Sequence, residues 1–260
     1  MTLLFGETRT HIDRDHALIG IDSHVTSPLV GWTDVEGVIL ISPAMRGGAG
    51  GPRFVQYLVD SKDKIGRSTG AAAGVERLVY VLKGSAKLDG RQLDTNHFAY
   101  FPPNDIYELG VDRETTLLVF EKQYEPLDGV PIPKRQFGSL GDRPSESFLG
   151  DPAAQLATLL PVEPAFDMAV NVFTYQPGAM LPFVECHVME HGLYMKQGQG
   201  VYRLGDRWYP VQQGDAIWMA SYCPQWFVAM GKQPAAYIYY KDIHRDPLSP
   251  LLQQAQGPDN

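Results

Sequence analysis

The sequence predicts an all-β chain folded as two tandem antiparallel barrels, and three observations predict it. Turn formers are abundant, with 26 glycines and 20 prolines among 260 residues, as expected of many short strands joined by tight turns. One strand–turn–strand–turn–strand block occurs twice. Residues 79–84, 86–91 and 98–103 are matched by 193–198, 201–206 and 214–219, and two copies of one β-unit imply two similar barrels. Asp89-Gly90 and Gly205-Asp206 fall between β-forming runs, where two-residue hairpin turns belong. A hydrophobic content of 44% supplies the core.

The length suits one large or two small domains. The stretch from Tyr124 to Pro161 is rich in Pro, Gly and Ser and holds the boundary. Residues 1–140 are expected to form a barrel without a metal site, and 141–260 a barrel with one. Asp151-Pro152 predicts a short helix over 153–160, because Asp suits the N-cap and Pro the first helical position. The glycine-rich run at 46–51 reads as a flexible loop; it lacks the GK[ST] ending of a phosphate-binding loop. The closing PLSPLLQQAQGPDN reads as a loose tail.

Composition narrows the function classes. A net charge of −8 argues against a nucleic-acid backbone as partner. No apolar run reaches membrane-spanning length. The first twenty residues carry no long apolar segment behind a basic one, so no signal peptide is expected. Two cysteines, Cys186 and Cys223, are too few for a disulfide scaffold and fit a reducing cytoplasm.

The residues that carry chemistry cluster in VECHVMEHG at 184–192, followed by Gln225. Glu185, His187, His191 and Gln225 each offer a lone pair to a metal. By the period of two, Glu185 and His187 share a strand face, with His191 returning after a turn and Gln225 arriving on another strand. Cys186, between the first two, then points to the opposite face as core filler. A His-x3-His pair alone is weak, and unrelated polar residues are the bland alternative. The spacing Glu185-x-His187-x3-His191-x6-Gly198, with Gly214-Asp215 and Gln225 beyond, is much stronger. It is the spacing of the two metal-binding motifs of a cupin barrel, whose usual ligand order His, His, Glu, His is replaced here by Glu, His, His, Gln. Two imidazoles, a carboxylate and an amide suit Mn²⁺, Fe²⁺ or Co²⁺ better than a soft metal, whereas affinity alone favours Zn²⁺ or Cu²⁺, so the metal stays open.

Tyr237, Tyr239 and Lys241 alternate on one strand and share a face. A lysine facing a core is costly unless it meets an anion, and the alternative is a strand end that reaches solvent. Tyr202 either faces the same cavity or packs. The first half has no such set: Val75, Glu76 and Arg77 stand where the ligand motif should end, Tyr107 falls at the place of Gln225, and His97 at that of Asp215. His11, His16, His24 and His244 have no metal spacing and read as surface or packing residues.

Together these residues resemble the ureidoglycine aminohydrolase family, two-cupin enzymes of purine and allantoin breakdown. The resemblance runs over nearly the whole chain: Asp15-His16-Ala17-Leu18-Ile19, Ser23-His24-Val25, Gly74-Val75-Glu76-Arg77, Glu185-x-His187-x2-Glu190-His191-Gly192, Pro224-Gln225-Trp226 and Tyr240-Lys241-Asp242. Cys186 stands where relatives often carry threonine. The resemblance implies a bicupin of two tandem double-stranded β-helix (jelly-roll) barrels. It implies Mn²⁺ on Glu185, His187, His191 and Gln225, substrate contacts at Tyr202, Tyr237 and Lys241, and a catalytic part for Lys241. The implied reaction is hydrolysis of (S)-ureidoglycine, a small ureido acid, to (S)-ureidoglycolate and ammonia by a homo-oligomer. Plant members lie in the secretory system, but the lack of an entry signal here points to the cytoplasm, and the charge and the lack of a membrane-length run point to no nucleic-acid or membrane partner. Another cupin enzyme, such as an Fe²⁺ dioxygenase or an isomerase, and a non-catalytic small-acid-binding bicupin are the alternatives.

Overall fold

The structure is a computed structural model and describes residues 7–45 and 51–246. The expected tail at 247–260, residues 46–50 of the glycine-rich loop and the first six residues lie outside the described residues. Nearly everything described is strand, turn or loop. The strands of the first half are β1 (His11–Ile12), β2 (His16–Ile19), β3 (Ser27–Pro28), β4 (Glu36–Ile41), β5 (Phe54–Ser61), β6 (Gly66–Ser68), β7 (Val75–Lys83), β8 (Ser85–Leu88), β9 (Arg91–Asp94), β10 (His97–Phe101), β11 (Leu109–Val111), β12 (Thr115–Gln123) and β13 (Gln136–Ser139). Those of the second are β14 (Ser145–Phe148), β15 (Asp151–Thr158), β16 (Met168–Tyr175), β17 (His191–Gln197), β18 (Gln199–Leu204), β19 (Arg207–Gln212), β20 (Ala216–Met219), β21 (Gln225–Met230) and β22 (Ala235–Asp242).

Each half builds a large sheet and a small one, and the strand orders repeat. The first half has β13-β10-β7-β12-β5-β4-β3 with β6-β11-β8-β9; the second has β1-β2-β20-β17-β22-β16-β15-β14 with β19-β18-β21. The sequence repeat is therefore a repeat of topology, in which β7, β10 and β12 correspond to β17, β20 and β22. The hairpin turns fall where the Asp-Gly and Gly-Asp pairs predict them: Leu88 pairs with Arg91 and Leu204 with Arg207. Asp89 and Gly90 both have positive φ, at 47° and 83°, the twist that a two-residue turn needs to match its strands.

Strand alternation sets up the interior. On β22, Tyr237 and Tyr239 belong to the core inside the second barrel. Ile238 and Tyr240 belong to a separate core between the barrels, with Phe54, Leu78 and Phe120 from the first. Tyr240 stacks on Phe54 with ring centroids 3.9 Å apart. Both faces of β22 are thus buried, one by each barrel, which explains its nearly unbroken apolar composition.

The chain passes from the first large sheet to the second at the 3₁₀ turn Leu140–Asp142. One feature modifies the expected split at 140/141. Strands β1 and β2 add to the edge of β20 in the second barrel, and Arg9 grips buried Asp215 there through two hydrogen bonds of 2.7 Å. We propose the division at 140/141 with this N-terminal arm counted as part of the second barrel. Residues 153–160 are not the helix that Asp151-Pro152 predicts. Asp151 does accept a bond from the Ala153 N–H at 2.8 Å, but as a local turn only. The segment continues as β15, paired on both sides with β14 and β16, because lateral pairing on the exposed edge of β16 outweighs a weak local preference.

Candidate metal centre and substrate cavity

Four elements meet at the mouth of the second barrel: the loop 182–190, β17, β21 and β22. Glu185 and Gln225 form an isolated bridge, exchanging backbone bonds of 2.8 and 2.9 Å. His187 lies on the loop rather than a strand, and its carbonyl accepts from the Tyr222 N–H at 2.7 Å. The expected strand face for Glu185 and His187 is therefore a crossing loop that presents both side chains inward. Cys186 between them is exposed, not core filler, because that loop has solvent behind it instead of a packed sheet. Its thiol donates to the Tyr222 carbonyl at 3.2 Å. His191 opens β17 directly opposite Lys241 of β22.

All four expected ligands, together with Tyr202, Tyr237 and Lys241, line one cavity of about 330 Å³. The Gln225 amide sits among them: its Nε2 is 3.1 Å from His187 Nε2 and 3.4 Å from His191 Nδ1, and its Oε1 accepts from the Tyr202 hydroxyl at 3.1 Å. The two imidazoles lie 4.5 Å apart, and His191 stacks on Tyr239 at 5.5 Å. His187 Nδ1 and His191 Nε2 are buried without a hydrogen-bond partner among the described residues.

The electrostatics follow from burial. Desolvation, reinforced by Lys241, holds His187 below the ordinary imidazole value. Desolvation holds His191 well below it, with His187 and Lys241 adding to the effect. Both rings are thereby kept neutral and able to donate a lone pair. Desolvation pushes the Glu185 carboxyl up while Lys241 pulls it down. Desolvation likewise lowers Lys241, with Glu185 opposing. A carboxylate, two neutral imidazoles and an amide are N and O donors of the kind a divalent cation takes; the amide presents its Nε2 to the rings and its Oε1 to Tyr202, so ligation by Gln225 requires the amide turned over. Tyr202 and Tyr237 are pushed well above the ordinary phenol value by burial, so both stay protonated hydrogen-bond donors. Tyr237 also shares a 3.1 Å hydroxyl contact with Tyr175. Of the two readings open for Lys241, the cavity-facing one matches its position in the lining.

The first barrel shows how the same frame is closed. Arg77 pairs with Glu121 across β7 and β12 as His191 pairs with Lys241 across β17 and β22. Arg77 is buried, and its guanidinium donates to Glu121 at 2.5 Å, to Ser68 Oγ at 2.9 Å and to the Tyr107 hydroxyl at 2.5 Å. A fixed organic cation thus occupies the ligand row. Tyr107 is not the register equivalent of Gln225: Leu88 pairs with Leu109 as Leu204 pairs with Gln225, so Leu109 holds that place. The connection before β11 is longer than its counterpart before β21, which spacing alone conceals.

Sequence spacing missed two further clusters. Ligand-bearing atoms of His11, Asp13 and His16 lie within 4.8 Å of one another, as do those of Asp15, His16 and Cys223. Both nitrogens of His16 are already engaged, at 2.8 Å each, by Asp15 and the Tyr209 hydroxyl. Arg207 lies 2.8 Å from His11 Nε2 and 3.3 Å from Asp13. Burial pushes the Cys223 thiol up to about 12, which keeps it from serving as a thiolate. These groups are satisfied by one another and by arginine.

A cupin domain model matches residues 171–240, the heart of the second barrel. The chain is 41% identical over 248 residues to the (S)-ureidoglycine aminohydrolase of Arabidopsis thaliana, covering 94% of this chain and 80% of that protein. It is 32% identical over 238 residues to the (S)-ureidoglycine aminohydrolase of Escherichia coli K12, covering 88% and 89%. Among solved structures, the protein Ylba from E. coli superposes with a TM-score of 0.78 at 29% identity, over 92% of this chain and 96% of that one.

Proposed function

The chain belongs to the (S)-ureidoglycine aminohydrolase family, and we propose that it hydrolyses (S)-ureidoglycine to (S)-ureidoglycolate and ammonia at the mouth of its second cupin barrel. The observation that carries the reading is the meeting of a four-residue N/O ligand set with a lysine and two protonated tyrosines around one small cavity.

The residues divide the work by chemistry. Glu185, His187, His191 and Gln225 would hold a divalent ion, for which we propose Mn²⁺; when bound, it supplies Lewis-acid polarisation and a template for the substrate. Lys241, at the same end of the cavity as His191, would pair with the substrate carboxylate, an anion that offsets the desolvation of its half-buried ammonium, which Glu185 already opposes through space. Tyr237 would donate a hydrogen bond to the ureido or reacting oxygen, and Tyr202 would do so by turning to it the hydroxyl hydrogen that it gives Gln225 here, the two together fixing the face presented to water. The Tyr202–Gln225 bond ties one of these donors to the ligand set. Water adds its oxygen to the carbon, the amine leaves as ammonia, and orientation of a single enantiomer supplies much of the rate.

The same reading includes homo-oligomeric assembly, implied by the family resemblance, and a cytoplasmic location, supported by two free cysteines. No described helix is long and apolar enough to cross a membrane. The test is ammonia release from (S)-ureidoglycine generated in situ, with the chirality of the product followed. A single ureidoglycolate enantiomer, formed faster than the unaided decay, is expected. Racemic product at the background rate from metal-loaded protein would remove the aminohydrolase reading.

A further inference from the structure

Glu190 belongs to the ligand segment, yet nothing in the proposed chemistry uses it. It is only 3% exposed. Each of its carboxylate oxygens accepts from the Arg53 backbone N–H at 3.0 Å, and Arg53 Nε lies 3.5 Å away. The same guanidinium pairs through Nη2 with Asp242. The other Asp242 oxygen accepts from the Glu190 N–H at 2.5 Å. The Tyr240 hydroxyl donates to Glu190 at 3.3 Å.

The placement of these groups is what matters. Arg53 immediately precedes β5 of the first barrel. Glu190 immediately precedes the ligand His191, and Asp242 immediately follows Lys241, while His191 and Lys241 face each other across β17 and β22. One residue of the first barrel therefore holds the two strand ends that carry a metal ligand and the cavity's cation.

We propose that Arg53 is a positioning residue for the metal site: through Glu190 and Asp242 it fixes where His191 and Lys241 stand relative to each other. The inference rests on the functional reading above. Two carboxylates this buried cannot relax freely once their shared cation is gone. The strand ends that they anchor would then shift by the few tenths of an ångström to which a ligand set is sensitive. Partners one step removed from a metal commonly contribute 10–100-fold to its affinity or activity. On this account the first barrel is part of the active machinery, although its own ligand row is closed by Arg77.

The experiment uses full-length protein with Arg53→Gln, Arg53→Lys and Asp242→Asn. It measures Mn²⁺ affinity by competition with a chromophoric chelator, the Mn²⁺ paramagnetic resonance spectrum, kcat and KM, and the unfolding midpoint. In R53Q and D242N, Mn²⁺ affinity is expected to fall by about 10–100-fold with a changed resonance spectrum, while circular dichroism at the assay temperature stays that of wild type. R53K is expected to recover part of the loss. Folded R53Q and D242N with wild-type Mn²⁺ affinity, spectrum and kcat/KM, and only a lowered unfolding midpoint, would overturn the proposal and leave Arg53 as a tether between barrels. Should R53Q not fold, D242N decides, because it retains the Arg53 guanidinium beside Glu190. Wild-type protein that neither binds Mn²⁺ nor releases ammonia would instead sink the functional reading, and this inference with it.

Discussion

Gln225 and Lys241 set the proposed site apart from the general cupin pattern, and the role proposed for each rests on what it faces. Gln225 sits between two imidazoles and a tyrosine hydroxyl; Lys241 faces the ligand row without being part of it. Lys241→Ala should keep the metal and lose on the order of 10–100-fold in kcat/KM, since a hydrogen bond to a charged group contributes about 1.5–3 kcal/mol. Metal analysis beside steady-state kinetics tests this, and an unchanged kcat/KM would remove Lys241 from the substrate site. In the other barrel, Arg77→Met leaves the half-buried Glu121 and the buried Tyr107 without their cation. A loss of about 3 kcal/mol in denaturant unfolding is expected, with turnover per folded molecule unchanged; a loss of metal instead would place a ligand function in the first barrel. At this scale the sequence was legible where spacing speaks: all four expected ligands line one cavity. It misled at Cys186 and Tyr107, because a crossing loop and a longer connection look the same as regular strands in a string of letters.

At the scale of elements, alternation was reliable where the segment is a regular strand, as on β22. Tyr237, Tyr239 and Lys241 lie on one face of β22 as the period of two requires, and Ile238 and Tyr240 fill the opposite face. The predicted helix at 153–160 failed because its capping signal is local, whereas the pairing partners of β15 are supplied by distant sequence. Gly192 illustrates how tightly the two sheet faces are joined. A Cβ there would meet the Tyr240 ring at 2.2–2.4 Å, and that ring is stacked on Phe54. Gly192→Ala should therefore lower stability by about 1–3 kcal/mol through overpacking and alter the near-ultraviolet dichroism of Tyr240. An unfolding midpoint and aromatic spectrum matching wild type would show that the ring moves aside freely.

Across the whole molecule, the barrels meet over an apolar core with a few buried charges set into it. Lys122 pairs with Asp167, which also accepts from the Glu125 N–H at 2.7 Å, and the Tyr100 hydroxyl donates to Glu76 at 2.6 Å. Burial, with Asp167 beside it, raises the Glu76 carboxyl well above its ordinary value of 4.5. The folded state therefore holds a proton that the unfolded chain releases. This contribution is fully present below that ordinary value and is lost as pH rises through the raised one. Glu76→Gln cannot titrate, so its unfolding midpoint should gain on that of wild type as pH is raised from about 5 to about 9; parallel curves would show that Glu76 carries no such linkage. None of this interface was legible beforehand, because a Glu in one half and an Asp in the other announce their contact only once the barrels dock.

The central claim is that one divalent ion per chain sits on Glu185, His187, His191 and Gln225, and that the reaction depends on it. The direct measurement is metal content by elemental analysis together with ammonia release, for wild type and His191→Ala. One metal per chain in wild type, lost together with activity in the variant, is the expected result. Full metal content in His191→Ala would contradict the account and move the search to the His11, Asp13 and His16 cluster.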